Sequence, residues 1–319
     1  MKIIVTHASP DMDAITSVWL LKKFLPGWEN SSVEFVPAGE RLGSSRFIHS
    51  AGSGQSSKLN DPIERIGEDE VIHVDTGLGP LDHHQTSSDK VCGASLAFDY
   101  VKRTQISNLK SQISDRIKDR MEAVGRMVKV VVDIDHFKEV FRKDPLEDYH
   151  EFDLAAILEG LKLQFPNQDD YYVDFVSKSL DAILHQFENR IWAEKEIKEN
   201  GMEFETRFGK GIGFETINDS VIKLAQKMEY VIVVRKDPRK GYVRIKASPS
   251  SESQKSKVKS QNKGIDLTLV YEKLSKMDPD ATWFLHVSKK MLLNGSVKNP
   301  KMRPTKLSLS DIIGVLKKI

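Results

Sequence analysis

The chain has 319 residues, 39% hydrophobic and 29% charged, with a formal net charge of +2 at pH 7. That length allows two domains of ordinary globular composition, and the near-neutral balance excludes a chain that is basic throughout, so any nucleic-acid surface must be local. A lone cysteine, Cys92, excludes an intramolecular disulfide and a cysteine-based zinc cluster; with no signal-peptide pattern and no apolar run of membrane-spanning length, a cytoplasmic protein without a membrane partner is expected.

Lys2 to Thr6 reads as a short apolar strand, Ile3-Ile4-Val5, ending at His7. Ala8 to Asp13 then leads into a helical pattern in which Ile15, Val18, Trp19, Leu21 and Leu25 share one face. Asp11 and Asp13 stand at the helix start, where one acid serves as an N-cap and suits the dipole. Capping explains neither the second acid nor a histidine at the strand end. Ser32 to Pro37 reads as a second strand, and Arg41 to Asn60, rich in Gly and Ser, as a loop around a short helix. Its Gly52 to Ser57 stretch lacks the Gly-Lys-Ser/Thr ending of a phosphate-binding loop, which leaves a flexible connector as the better reading.

Val71 to Thr86 (VIHVDTGLGPLDHHQT) opens with the composition of a buried strand, places Asp75 at its end, turns through Gly77 and Gly79-Pro80, and continues into Asp82-His83-His84. In an open α/β sheet, ligands collect outside the carboxyl ends of the strands. If this strand lies beside the first, then His7, Asp11, Asp13, Asp75 and His83 stand at neighbouring strand ends, the mixed imidazole and carboxylate set of a metal site. The plain alternative is a polar loop whose histidines cap a helix.

His7-x-x-Pro10-Asp11-x-Asp13-Ala14, then Val74-Asp75, then Asp82-His83-His84 resembles, in order and spacing, the first three motifs of the DHH phosphoesterase superfamily. That group includes manganese-dependent inorganic pyrophosphatases, RecJ-type exonucleases, and oligoribonucleotide and cyclic-dinucleotide phosphodiesterases. The resemblance implies a fourth motif, an Asp that closes the metal shell. Val130 to Phe137 (VVVDIDHF) offers Asp133 and Asp135 for it. Residues two apart on a helix diverge, so one of the two is expected to reach the site, and the Asp-His-Phe context favours Asp135. His136 reads as a packed or exposed neighbour.

Between these motifs Gly93 to Lys102 is expected to be a helix packing Leu96, Tyr100 and Val101 inward, and Ile106 to Val131 to be mostly helical. Asp169 to Asn200 is a long amphipathic helical stretch, read as a structural bridge that Gly201 ends. Tyr230 to Val234 and Tyr242 to Ala247 alternate like strands around a basic turn, Arg235 to Gly241. Ser248 to Lys263 reads as a polar, basic, mobile loop, and Thr282 to Val287 as a further strand before Asn294-Gly295-Ser296.

The expected architecture is therefore α/β. A DHH domain with a mostly parallel sheet spans 1–165, a helical linker 166–200, and a smaller α+β lobe for substrate 201–319. The Gly-Gly-Gly-His-type motif of the RecJ-like C-terminal lobe is missing. The Asp82-His83-His84-Gln85 string, the Val-rich hairpin and Phe284-Leu285-His286 before Asn294-Gly295 instead resemble the melanocyte-proliferating-gene family of DHH-like exonucleases, whereas the Pro-Asp-x-Asp form at the N-terminus is that of the pyrophosphatases.

By similarity, His7, Asp11 and Asp75 hold one divalent ion, and Asp13, Asp75, His83 and Asp135 (or Asp133) a second, with Asp75 bridging. Imidazole ligands suit manganese, with magnesium as the alternative. In the catalytic roles, Asp82 would orient His83, and His84 would contact the phosphate or protonate the leaving oxygen. Arg235, Arg244, His286, Lys289, Asn294 and Gly295 are the candidate substrate contacts of the second lobe, and for the charged ones a solvated surface role is the commoner fate. The leading expectation is a two-metal phosphodiesterase acting on short single-stranded RNA or DNA or on dinucleotides, exonuclease-like. A manganese-dependent inorganic pyrophosphatase is the alternative within the same chemistry, and a nucleotide-sensing module on a retained DHH scaffold is the alternative outside it. Oligomeric state is not legible.

Overall fold

The computed structural model describes residues 1–43, 61–108, 114–249, 264–296 and 299–319. The Gly52 to Ser57 connector and all but the first two residues of the Ser248 to Lys263 stretch lie outside the described residues. The chain divides into two compact units, Met1–Glu188 and Asn189–Ile319. Together they form an α/β protein with two sheets and eight α-helices among the described residues.

The first unit holds a four-stranded sheet in the order β2-β1-β4-β3, where β1 is Lys2–His7, β2 Ser32–Val36, β3 Ile63–Ile66 and β4 Asp69–His73. β1 runs parallel to both neighbours, with His7 opposite Val36 and Val5 opposite His73. A mostly parallel sheet is expected here, and the sheet is mixed: its two β1 pairings are parallel, and β3 pairs antiparallel with β4. The cause is local. Only Gly67 and Glu68 separate these strands, and a parallel crossover needs a dozen residues or more, whereas two residues make a hairpin. Gly67, at φ +65°, supplies the positive angle such a loop requires.

Helix α1 (Met12–Phe24) crosses from β1 to β2 and packs against α2 (Gly93–Asn108) and α3 (Asp115–Asp135). Covered in this way, α1 buries nearly every side chain from Met12 to Leu21. Ile4, Val5, Ile15, Leu20, Leu21 and Ile72 are inaccessible to solvent and form the core that fixes the strand ends. After α3 come two 3-10 turns, Lys138–Phe141 and Asp148–Phe152, and then α4 (Leu154–Gln164). The 32-residue α5 (Asp169–Asn200) matches the expected long helix. In the first unit its Asp181 accepts hydrogen bonds from Trp19 Nε1 at 2.9 Å and Lys23 Nζ at 2.6 Å.

The second unit is built on a six-stranded sheet in the order β5-β6-β7-β8-β10-β9. Its strands are β5 (Met202–Thr206), β6 (Gly209–Glu215), β7 (Ile232–Lys236), β8 (Val243–Ala247), β9 (Phe284–Leu285) and β10 (Met291–Asn294), with helices α6 (Ser220–Lys227), α7 (Thr268–Met277) and α8 (Leu309–Leu316). Only β6 and β7 pair in parallel. Apolar clusters include Val234, Ile245, Leu274 and Ile312 in one and Ala193, Ile212, Phe214 and Val233 in the other. Val233 and Val234 fall in different clusters, as alternate strand residues must when a sheet is covered on both faces. The expected β7–β8 hairpin is present, but Arg235 and Lys236 belong to the strand rather than to the turn. The strand expected over Thr282 to Val287 is only Phe284–Leu285. No helix among the described residues is long and apolar enough to cross a membrane.

Candidate metal centre

The parallel pairing of β1 and β4 brings His7 beside the turn that begins at Asp75. His7 Nδ1 lies 2.9 Å from the Ala8 carbonyl oxygen, which only accepts, so Nδ1 donates and a neutral ring offers Nε2 as the free acceptor. That Nε2 is 3.4 Å from Asp75 Oδ2 and 4.0 Å from Asp11 Oδ1. Asp11 also caps α1, its Oδ1 accepting from Asp13 N at 2.9 Å and Ala14 N at 3.0 Å.

Asp13 is almost wholly buried, and its carboxylate turns away from its own helix. Its Oδ2 accepts from Gly93 N and its Oδ1 from Ala94 N, both at 2.6 Å, so Asp13 satisfies two orphan amides at the start of α2. A Cβ at Gly93 would lie 2.9 Å from Asp75 Cβ and 3.0 Å from Asp13 Oδ2, so this close approach of helix to carboxylates requires glycine.

Asp75 adopts φ +52°, a left-handed conformation that Asp tolerates better than most residues. Its amide donates to Leu81 O at 3.0 Å, closing the turn. This points Oδ1 at His83 Nε2, 3.4 Å away, while Oδ2 faces His7. His83 Nε2 is also 3.7 Å from Asp13 Oδ2 and 3.7 Å from Asp135 Oδ2. Asp135, the last residue of α3, thus joins the cluster, whereas Asp133 is half exposed and faces Lys138 Nζ at 3.9 Å. His83 with Asp75 and His84, His83 with Asp135 and His136, and His7 with Asp11 and Asp75 each place ligand atoms mutually within 4.8 Å. His136, expected as a packed or exposed neighbour, joins the second of these groups, and its Nε2 donates to Val91 O at 2.9 Å.

Asp82 behaves differently from the expectation. It supports His84 rather than His83: Oδ1 accepts from His84 Nδ1 at 2.7 Å and from His84 N at 3.0 Å, while Oδ2 accepts from Leu78 N at 2.7 Å. The chain turns at Asp82, so the nearest ring is the one two residues on. His84 remains 58% exposed, with its Nε2 edge left for a ligand.

The electrostatics are those of crowded acids. Burial pushes the Asp13 carboxyl well above its usual value, and repulsion from Asp75 adds to this. Burial also raises Asp135. For Asp75 burial acts upward, but the facing imidazoles of His7 and His83, each 3.4 Å away, outweigh it and the net direction is down. His83 is raised to about 9, chiefly by the Asp75 carboxylate that faces it. His7 is also raised to about 9: burial lowers it, and Asp75 with the neighbouring acids overcomes that. Asp75 Oδ1 and Asp135 Oδ2 are both buried without a hydrogen-bond partner. Buried acceptors of this kind are rare and costly. Two orphaned carboxylate oxygens converging on one imidazole nitrogen fit a donor set made for cations.

The six residues expected to contact substrate lie in the second unit, in four settings. Arg235 is buried, with Nε 2.8 Å from Asp219 Oδ1 and Nη1 donating to Thr216 O at 3.0 Å. Arg244, directly opposite on β8, pairs with the same Asp219, which relieves the repulsion of two facing guanidiniums. His286 Nδ1 is 2.8 Å from Ser288 Oγ, and the exposed Lys289 pairs with Asp266 at 3.1 Å. Asn294 is fully buried, donating to Thr282 O and Arg303 O and accepting from Thr305 N, so its amide is occupied inside the unit. Gly295, at φ +79°, lets the Tyr242 ring approach to where a Cβ would be 2.1 Å from it.

No family model matches this sequence, and no curated protein matches it. Among solved structures, the chain is similar to an uncharacterized protein from Helicobacter pylori G27, at 12% identity over 100% of both chains with a TM-score of 0.24. It is also similar to a Methanococcus jannaschii protein assigned to the family II inorganic pyrophosphatases, at 14% identity over 99% of both chains with a TM-score of 0.20. Similarities this low carry no argument about fold or function.

Proposed function

We propose that the chain is a two-metal-dependent phosphoesterase that hydrolyses phosphodiester bonds in short single-stranded nucleic acid or dinucleotides. The observation that supports this reading is the cluster itself: Asp75 Oδ1 and Asp135 Oδ2, buried and unpartnered, face His83 Nε2, with His7, Asp11 and Asp13 beside them. In this reading His7, Asp11 and Asp75 would hold one ion and Asp13, Asp75, His83 and Asp135 the other, so Asp75 would belong to both sets. Two imidazoles among the ligands favour manganese over magnesium. Bound divalent ions would supply charge for the phosphoryl oxygens and a water of lowered pKa.

The chain's own groups do the rest. Asp82 fixes His84 Nδ1–H, so a protonated His84 presents Nε2–H outward as a general acid. Hydrolysis adds hydroxyl to phosphorus, breaks the ester P–O bond and places a proton on the leaving oxygen, and His84 is the donor of that proton. Arg244, His286 and Lys289 are the proposed phosphate contacts of the second unit.

The pyrophosphatase reading uses the same ligands, and the Pro10-Asp11-x-Asp13 form favours it. Purified protein with manganese, tested against pyrophosphate, short RNA, short DNA and cyclic dinucleotides, decides between them. Cleavage of a diester, lost on chelation, is the expected result. Turnover of pyrophosphate alone transfers the assignment to the rival, and no hydrolysis of any phosphate compound overturns both.

A further inference from the structure

Within the first unit, a cavity of about 660 Å³ opens beside the carboxylate cluster. Asp11, Asp13 and Asp135 contribute to its lining, and so do Phe137, Val140 and Leu146 from the segment that follows α3. The volume falls within the range of about 300–1,000 Å³ that accepts an organic ligand. All three apolar side chains are largely exposed to solvent and border the same cavity, so their faces are open to a ligand. Phe137 is held at φ +53°, a left-handed conformation strained for a bulky residue, of the sort that persists at functional sites.

The charges on the lining away from the cluster are mostly negative. Glu139, Glu151, Asp153 and Glu159 line it against Arg142 and His150. Arg142 is already paired with Asp153 at 2.9 Å, and His150 Nε2 is engaged with Asp144 O at 3.1 Å. A second phosphate group would meet carboxylates there. Glu139 on this wall contributes a carboxylate that accepts from an N–H or O–H donor.

We infer that this cavity is a subsite for the organic group of the substrate. It takes a planar, apolar-faced moiety that stacks on Phe137, Val140 and Leu146 and donates a hydrogen bond to Glu139. The substrate is then an organic phosphate ester, and inorganic pyrophosphate, which has neither apolar face nor donor to offer, is a poor fit. The inference rests on the phosphoesterase reading above, since the cluster must hold the phosphate end.

The test is calorimetric binding of inorganic phosphate, phenyl phosphate and AMP to the full chain in manganese. The proteins are wild type, a Val140→Ser/Leu146→Ser double variant and Glu139→Leu. Val140 and Leu146 are exposed, so the serines do not threaten folding. Phenyl phosphate is expected to bind about tenfold more tightly than inorganic phosphate, and the double variant to remove that preference. AMP carries an amino donor that phenyl phosphate lacks, and Glu139→Leu is expected to remove the further advantage of AMP, on the order of tenfold. Equal binding of phenyl and inorganic phosphate by wild type overturns the inference, as does a parallel loss for both in the double variant. If instead sedimentation shows that the double variant loses a dimer while its selectivity is unchanged, the apolar wall is a contact with a second copy and the inference falls. Absence of any phosphate binding would sink the phosphoesterase reading itself, whereas retained inorganic phosphate binding without organic preference sinks only the subsite.

Discussion

Asp75→Asn is the substitution that separates a metal centre from a set of structural ion pairs. Asn tolerates the φ of +52° that Asp75 adopts, and its shape is the same, so the turn closed by Asp75 N and Leu81 O is retained. Without metal, the variant loses attraction to His7 and His83, each 3.4 Å away, and is relieved of repulsion toward Asp13 and Asp135. These effects oppose, so metal-free stability is expected to move by no more than about 1–2 kcal/mol. With metal the wild type gains about 2.7 kcal/mol at a hundred times Kd. In a unit of this size, Met1–Glu188, that gain raises Tm by roughly 5–10 °C. Asp75 is the one residue in both proposed ligand sets, so its neutralisation should cut the manganese-dependent rise to below about 2 °C. Differential scanning calorimetry with and without manganese reads this directly. Asp133→Asn is the control and should keep the full rise, since Asp133 is half exposed and faces Lys138. A full manganese-dependent rise in Asp75→Asn, or none in the wild type, would refute the reasoning.

Asp135→Asn should lower manganese-dependent hydrolysis by on the order of a hundredfold and Asp133→Asn by less than about twofold, in single-turnover assays; equal effects would mean that the shell closes elsewhere. Gly93→Ala should cost about 1–3 kcal/mol of stability in urea unfolding and weaken manganese binding, because the new Cβ meets Asp75 and Asp13 at 2.9–3.0 Å; an unchanged Tm and metal affinity would show that α2 shifts freely. Glu64 is held at about 2, below its usual 4.5: burial would raise it, but hydrogen bonds from His73 and Arg41 lower it more. A lowered carboxyl stabilises the fold above the unfolded value, and the contribution, about 3 kcal/mol at most, is lost as pH falls from about 4.5 through about 2. Glu64→Gln should flatten the stability curve across that window, measured by urea midpoints at stepped pH, and an unchanged slope would show that Glu64 is not the group titrating there.

The parallel β1–β4 pair and the residues at its ends were legible because local patterns coincided: an apolar strand, then a histidine or aspartate, then turn residues or a capped helix. The antiparallel β3 was not read, although Gly67-Glu68 between Ile66 and Asp69 is a hairpin signal; four residues, Ile63–Ile66, with two charges show little apolar alternation. The roles of Gly93 and Asp82 depend on contacts set by the folded turn, which spacing does not encode. The same holds for Asn294 and Gly295, which resemblance placed against substrate and which the fold uses internally. Residues 138–168 show little readable period, because short 3-10 turns follow tertiary context more than sequence pattern. One signal was there to be read, Asp153 ahead of the apolar pattern of α4, where its Oδ1 caps Ala156 N at 3.0 Å.

Asp13 shows why the fold and the proposed chemistry depend on each other. Its two oxygens hold the first amides of α2, so the carboxylate supports a helix as well as facing the cluster. Helix N-termini favour negative charge, which offsets part of the cost of burying it. What remains uncompensated is the crowding of Asp13, Asp75 and Asp135 around His83 and of Asp11 and Asp75 around His7, which pushes both imidazoles up to about 9. Two imidazoliums relieve that crowding in the metal-free protein, at the cost of occupying the nitrogens that ligation needs. Divalent cations relieve it more fully and leave the imidazoles neutral. Metal binding should therefore release protons near pH 7, read as a buffer-dependent heat in titration calorimetry, and binding without proton release would refute this account.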